Sequence, residues 1–157
     1  MSKQDIFKQI KPEIKKVFGS SSRLVSKLRS ICSILIDNID YCDWAGFYIL
    51  EEGMLHLGPF VGNETEHSVI EIGRGICGQV ADRKETLIID DVTKEDNYLS
   101  CSIKVKSEIV VPVIVDGKIF GVIDIDSHQK SAFSLEDKAF LECVAKHISS
   151  AVEYKES

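Results

Sequence analysis

Two stretches of helical period open the chain. Ile6, Ile10, Ile14 and Val17 recur three to four residues apart; Gly19-Ser20-Ser21-Ser22 interrupts; Leu24, Leu28, Ile31, Leu35 and Ile36 resume the period to about Asn38. Ser21 or Ser22 is placed to cap the second helix. The pattern then changes. WAGFYIL (44–50) and MLHLGPF (54–60) read as strands around the turn Glu51-Glu52-Gly53. Val69–Ile72 alternates as a short strand, Gly75–Arg83 reads as a short helix, and Thr86–Ile89 as another short strand. Asp90–Lys106 is a polar loop longer than ordinary connections, a length often tied to function. Glu108–Val115 and Lys118–Asp126 pair across Asp116-Gly117, the strongest hairpin signal present. Ser134, with Asp137 three residues on, starts a last helix whose inner side carries Phe140, Cys143, Val144, His147, Ile148 and Ala151. Hairpins in the middle and helices at both ends predict an α+β fold. Its central sheet is mostly antiparallel, with the terminal helices packed on one face.

Composition fits one soluble globular domain over residues 1–157, with 44% apolar and 28% charged residues. A net charge of −6 without a basic cluster argues against nucleic acid and anionic membrane as partners. The N-terminus, MSKQDIFKQI, is charged where a signal peptide needs an apolar run, and Ile109–Val115 is too short to span a bilayer. The expected location is the cytoplasm. Five cysteines without a secretory signal argue against a disulfide framework, and no C-x-x-C or H-x₃₋₅-H spacing supports a metal site.

Residues 73–78, GRGICG, match the spacing of a dinucleotide-binding turn. The context does not: the preceding strand contains Glu71, and hairpins rather than βαβ crossovers follow. A tight strand-to-helix turn explains the glycines better. Two readings stand for Cys77 inside it. Either the helix N-terminus favours its thiolate, or it is a small residue buried under the turn.

Cys32 and Cys143 lie on apolar helix faces, where packing is their expected role. Cys101 differs, lying in the long polar loop with Lys104 and Lys106 close behind. A loop thiol near cations suits an activated nucleophile; the alternative is an incidental surface cysteine.

The strand GVIDID (121–126) puts Asp124 and Asp126 on one face, roughly 7 Å apart by the strand rise. Counting outward from the Asp116-Gly117 turn brings Glu108 close to one or the other. Such a set is either a solvated acidic face or a converging group that holds a cation or shares a proton. Acids beside a thiolate suit a small zwitterion. They would hold its ammonium, and one, if protonated, would supply a proton.

With these residues in hand, the chain resembles the GAF-domain free methionine-(R)-sulfoxide reductases over nearly its whole length. The resemblance rests on DWAGFYIL (43–50), LGPFVG (57–62), GRGICG (73–78), Cys101 with SEIVVPV (107–113), and GVIDIDS (121–127). It implies a GAF fold, free L-methionine (R)-sulfoxide as substrate, thioredoxin or another thiol as reductant, and no cofactor or metal. By position, Cys101 matches the catalytic nucleophile, and Glu108, Asp124 and Asp126 match the acidic substrate-binding residues. Trp44 matches the aromatic residue that packs on the substrate methyl group, Tyr48 lines the same pocket, and Cys77 matches a second cysteine able to serve as a disulfide partner. The chain departs from the family at one place. A resolving cysteine is common about ten residues before the GRGICG cysteine. Here that region reads Asn63-Glu64-Thr65-Glu66-His67-Ser68, one residue longer and without cysteine. A non-catalytic GAF ligand sensor is the rival reading. The terminal helices also suit a homodimer, though dimerisation alone leaves Cys101 and the acidic strand unexplained.

Overall fold

The computed structural model describes residues 1–99 and 102–156, with side chains to Val152; Ser100, Cys101 and Ser157 are outside the described residues. The elements run α1 (Lys3–Phe18), α2 (Leu24–Asn38), β1 (Trp44–Glu51), β2 (Met54–Val61), β3 (Val69–Glu71), α3 (Gly75–Arg83), β4 (Leu87–Ile89), β5 (Ser107–Val115), β6 (Lys118–Ser127) and α4 (Leu135–Glu156). The long polar loop keeps its predicted place and contains one 3₁₀ turn, Val92–Lys94. Among these residues no helix is long and apolar enough to cross a membrane.

The six strands form one sheet in the order β3-β2-β1-β6-β5-β4, and all five pairings are antiparallel. Both tight hairpins are set by their turn residues. Glu52-Gly53 and Asp116-Gly117 have positive φ at both positions, which matches the right-handed twist of the flanking strands. Strand alternation divides the sheet into two faces. Ala45, Phe47, Ile109, Val111, Ile123 and Ile125 face the main core, which α1, α2 and α4 close. Trp44, Tyr48, Val110 and Val122 face the other way, toward a smaller core under α3. The terminal helices therefore share one face, as the sequence predicts, and the opposite face is free to carry a site.

The expected serine cap on α2 is not formed. Arg23 occupies the cap position in extended backbone and makes no side-chain cap bond; the helical ladder starts from its carbonyl with Lys27. Ser21 and Ser22 come too early to reach the first-turn amides. The cap on α4 does form: Ser134 N donates to Asp137 Oδ2 at 2.8 Å, and Glu136 N donates to Ser134 Oγ at 3.3 Å.

Asp137 does more than cap. It is 3% exposed, accepts from the Tyr41 hydroxyl, and pairs with Lys3 Nζ at 2.6 Å. Burial and this carboxylate together push the Tyr41 phenol far above its ordinary range. The cluster ties the start of α1 to the start of α4 across the core. Asp137→Ala strips the cap, removes the carboxylate that faces Lys3 and leaves the Tyr41 hydroxyl without its acceptor, so it is expected to cost about 2–4 kcal/mol. A urea midpoint corresponding to less than about 1 kcal/mol of loss would contradict this account.

Candidate active site

The acids are buried rather than solvated. Asp126 pairs with Trp44 on one side and Glu108 on the other, while Asp124 pairs with Gly46 and Val110. All three carboxyls therefore emerge on the α3 side of the sheet, with Glu108 6%, Asp124 3% and Asp126 3% exposed. Each carries one buried oxygen with no hydrogen-bond partner among the described residues: Glu108 Oε1, Asp124 Oδ1 and Asp126 Oδ1. Burying such groups without compensation is unfavourable, so the cluster is built to receive something.

Three like groups in one dry place do not all ionise. Burial raises Glu108 well above its ordinary range, and Asp124 and Asp126 raise it further. Burial likewise lifts Asp126 well up, with Asp124 adding to the effect. Asp124 is raised by burial too, but hydrogen bonds from Glu108 and Cys77 favour its charged form. Asp124 is thus the natural carboxylate of the group, and Glu108 a natural proton holder donating to it.

These shifts set a pH dependence. In the folded chain the three carboxyls titrate above their ordinary values of 4.5 for glutamate and 3.8 for aspartate. Above pH ~4 the folded state therefore binds more protons than the unfolded state, and this part of the stability falls as pH rises. The contribution is complete below the ordinary carboxyl values and is lost as pH climbs through the raised ones. Unliganded protein should lose stability as pH rises above the ordinary carboxyl values, and Glu108→Gln should flatten the slope. Equal slopes in thermal melts of the two proteins would contradict the shared-proton reading.

Cys77 sits in the first turn of α3, fully within this cluster and 4% exposed. Its Sγ and one oxygen each from Glu108 and Asp124 lie within 4.8 Å of one another, a donor set suited to a cation. The thiol is pushed well above its ordinary range, first by burial and then by Asp124 and Glu108. The helix-terminus effect that would favour a thiolate is therefore overridden, because a desolvated thiol beside acids stays neutral. Two glycines of GRGICG make this placement possible. Gly75 has φ +64°, and at Gly78 a side chain would come 2.5 Å from the Glu71 carbonyl oxygen. The motif is a tight turn that seats α3 against the sheet, not a nucleotide cradle.

Trp44 is 8% exposed and stacks on Phe60 at 5.5 Å between ring centroids. Its Nε1 donates to Asn63 O at 2.9 Å, and the Tyr48 hydroxyl donates to His67 O at 2.9 Å. The two aromatic residues thus fasten the 63–67 loop over the acids. One cavity of about 20 Å³ is lined by Tyr48, His67, Cys77, Tyr98, Glu108 and Asp124. A second, of about 30 Å³, lies between Trp44, Asn63, Ser102 and Asp126. Each has room for roughly one or two waters, so an amino acid enters only if a covering segment shifts. Larger grooves, of about 540 Å³ between α1 and α2 and about 580 Å³ beside α4, lie away from the acids.

Six of the seven candidate residues from the sequence are thus placed on the α3 side of the sheet. The seventh, Cys101, lies outside the described residues. Cys32 and Cys42 are buried; burial pushes the Cys32 thiol up to about 12 and the Cys42 thiol higher. Sequence reading missed the contributions of Asn63 and His67. Both act through backbone carbonyls, which no residue type announces.

Antiparallel sheet, helices on one face and a buried acidic cluster under a short helix on the other fit a GAF domain, and a GAF-domain profile matches residues 25–153. The free methionine-R-sulfoxide reductase of Saccharomyces cerevisiae is 46% identical over 117 residues, covering 72% of this chain and 64% of that protein. The Escherichia coli free methionine-R-sulfoxide reductase is 33% identical over 138 residues, covering 88% of this chain and 83% of that protein. The solved free methionine-R-sulfoxide reductase of Neisseria meningitidis, in complex with its substrate, superposes with a TM-score of 0.93 at 30% identity. That match covers 98% of this chain and 92% of the other. The chain belongs to the GAF-domain free methionine-(R)-sulfoxide reductase family. It spans just under two thirds of the yeast relative's length.

Proposed function

We propose that this protein reduces free L-methionine (R)-sulfoxide to methionine in the cytoplasm. The observation that carries the reading is the buried triad Glu108, Asp124 and Asp126, with three oxygens that have no partner among the described residues. The family membership supports the choice of substrate. A free amino acid brings an ammonium group, which anionic acceptors in a dry site hold more strongly than water does. Asp124 carries the charge for it, with Asp126 beside it. Trp44 gives an apolar wall for the substrate methyl group, and Tyr48 closes the other side.

Glu108 delivers its proton to the sulfoxide oxygen, which makes the sulfur electrophilic. Cys101, as thiolate, attacks that sulfur and takes the hydroxyl; methionine leaves with the electron pair, and Cys101 becomes a sulfenic acid. Lys104 and Lys106 favour the thiolate. A second thiol then attacks the sulfenic sulfur, releasing water and forming a disulfide. Cys77 is the internal candidate for that thiol, and Glu108, left as a carboxylate once its proton has gone to the sulfoxide, stands close enough to take the thiol proton as it attacks. A dithiol such as thioredoxin returns the disulfide to two thiols, so the electrons come from thiols and neither cofactor nor metal is required.

Residues 63–68 hold no cysteine where the resemblance implies a resolving one, and this departure favours the sensor reading. The two readings part in one assay. Methionine accumulating from free (R)-sulfoxide in the presence of a thiol supports the reductase; saturable binding without methionine release overturns it.

A further inference from the structure

Helix α3 begins without a cap of its own, since Arg74 at the cap position makes no side-chain cap bond. The orphan amide of Gly75 is taken instead by a residue 22 positions away: it donates to Asn97 Oδ1 at 2.8 Å. The other end of the same side chain donates to Gly73, Asn97 Nδ2 to Gly73 O at 2.9 Å. A third bond joins the two segments, from Gln79 Nε2 to Asn97 O at 3.1 Å; the same Gln79 nitrogen also donates to Gly75 O at 2.9 Å. Leu99 completes the seam. It packs so closely on Gly75 that a side chain there would come 2.9 Å from Leu99 Cγ.

We propose that Asn97 is a positioning residue for the reaction: its carboxamide clamps the segment leading to Cys101 onto the turn that carries Cys77. The inference rests on the reductase reading and adds to it a group whose hydrogen-bond partners among the described residues are backbone atoms of Gly73 and Gly75 and the side chain of Gln79. Cys101 follows Asn97 by four residues, and Cys77 follows Gly75 by two. Fixing Asn97 on Gly73 and Gly75 therefore sets where the Cys101 segment starts relative to the acids and to Cys77. The chemistry of the clamp is specific to asparagine. One planar group must accept from a backbone N–H and donate to a backbone carbonyl at once. Aspartate keeps the acceptor, at a helix N-terminus that favours it, but loses the donor. Alanine loses both.

The test compares wild type, Asn97→Ala and Asn97→Asp for kcat and KM on free methionine (R)-sulfoxide, with amide hydrogen exchange followed by NMR. Asn97→Ala should lower kcat by about tenfold to a hundredfold, as expected for a displaced reacting group, with KM within about twofold. Exchange at Gly75 should speed up by about tenfold while the strands β1, β5 and β6 keep their protection. Asn97→Asp should recover part of both effects. A kcat within about twofold of wild type in Asn97→Ala would overturn the proposal, as would a loss accompanied by faster exchange throughout the sheet. If wild type itself shows no turnover, the reductase reading fails instead. The exchange comparison then decides the clamp alone, and unchanged protection at Gly75 overturns it.

Discussion

Cys101→Ser should lose at least about a thousandfold in methionine formation, the scale seen when a sole nucleophile is removed. Among the described residues Cys77 is the cysteine grouped with the acids, while Cys143 lies on α4, which packs on the other face of the sheet. Cys77 lies beside the acids, yet burial and those acids hold its thiol neutral, and neutral thiols attack poorly. Cys32 and Cys42 are buried away from the acids in the main core. The folded state should be unaffected, which an unchanged melting curve would establish. Cys77→Ser should behave differently. The first turnover should proceed at the wild-type rate, and only repeated turnover with a dithiol reductant should slow. Full activity in Cys101→Ser would remove the nucleophile from the account.

Glu108→Gln should lower kcat by about a hundredfold to a thousandfold, within the range for loss of a general acid. Glutamine copies the shape of the protonated glutamic acid and can still donate a hydrogen bond to Asp124, but it has no proton to transfer. With the charge that meets the ammonium group on Asp124, as proposed, KM should change little. Asp124→Asn should show the reverse emphasis: its removal weakens substrate binding, so KM rises. The pair of variants therefore separates proton delivery from charge pairing. A Glu108→Gln enzyme with unchanged kcat and raised KM would exchange the roles assigned to the two residues.

Much of the fold is legible because its signals are local. The Asp116-Gly117 turn fixes the β5–β6 register, and that register alone brings Glu108 opposite Asp126. Period-two alternation then puts Asp124 and Asp126 on the face away from Ile123 and Ile125. Burial of that face is not local. It depends on α3 and the 63–67 loop folding over it, so sequence reading left a solvated face open as an alternative. The state of Cys77 was open for the same reason. A helix terminus and an acid cluster pull its thiol in opposite directions, and only the packing decides which prevails. Ser21 and Ser22 misled through residue type: good capping residues one or two positions early make no cap. Asn97 carried no signal because its partners are backbone groups of Gly73 and Gly75, distant in sequence.

The most direct test supplies the purified protein and a thiol reductant with free methionine (R)-sulfoxide, free methionine (S)-sulfoxide and a peptide containing the (R)-sulfoxide, and measures the methionine formed from each. A site that holds a free ammonium on buried acids and fits one methyl orientation against Trp44 should reduce the free (R) form alone. Equal reduction of the peptide, or no methionine from the free (R) form, would contradict the account.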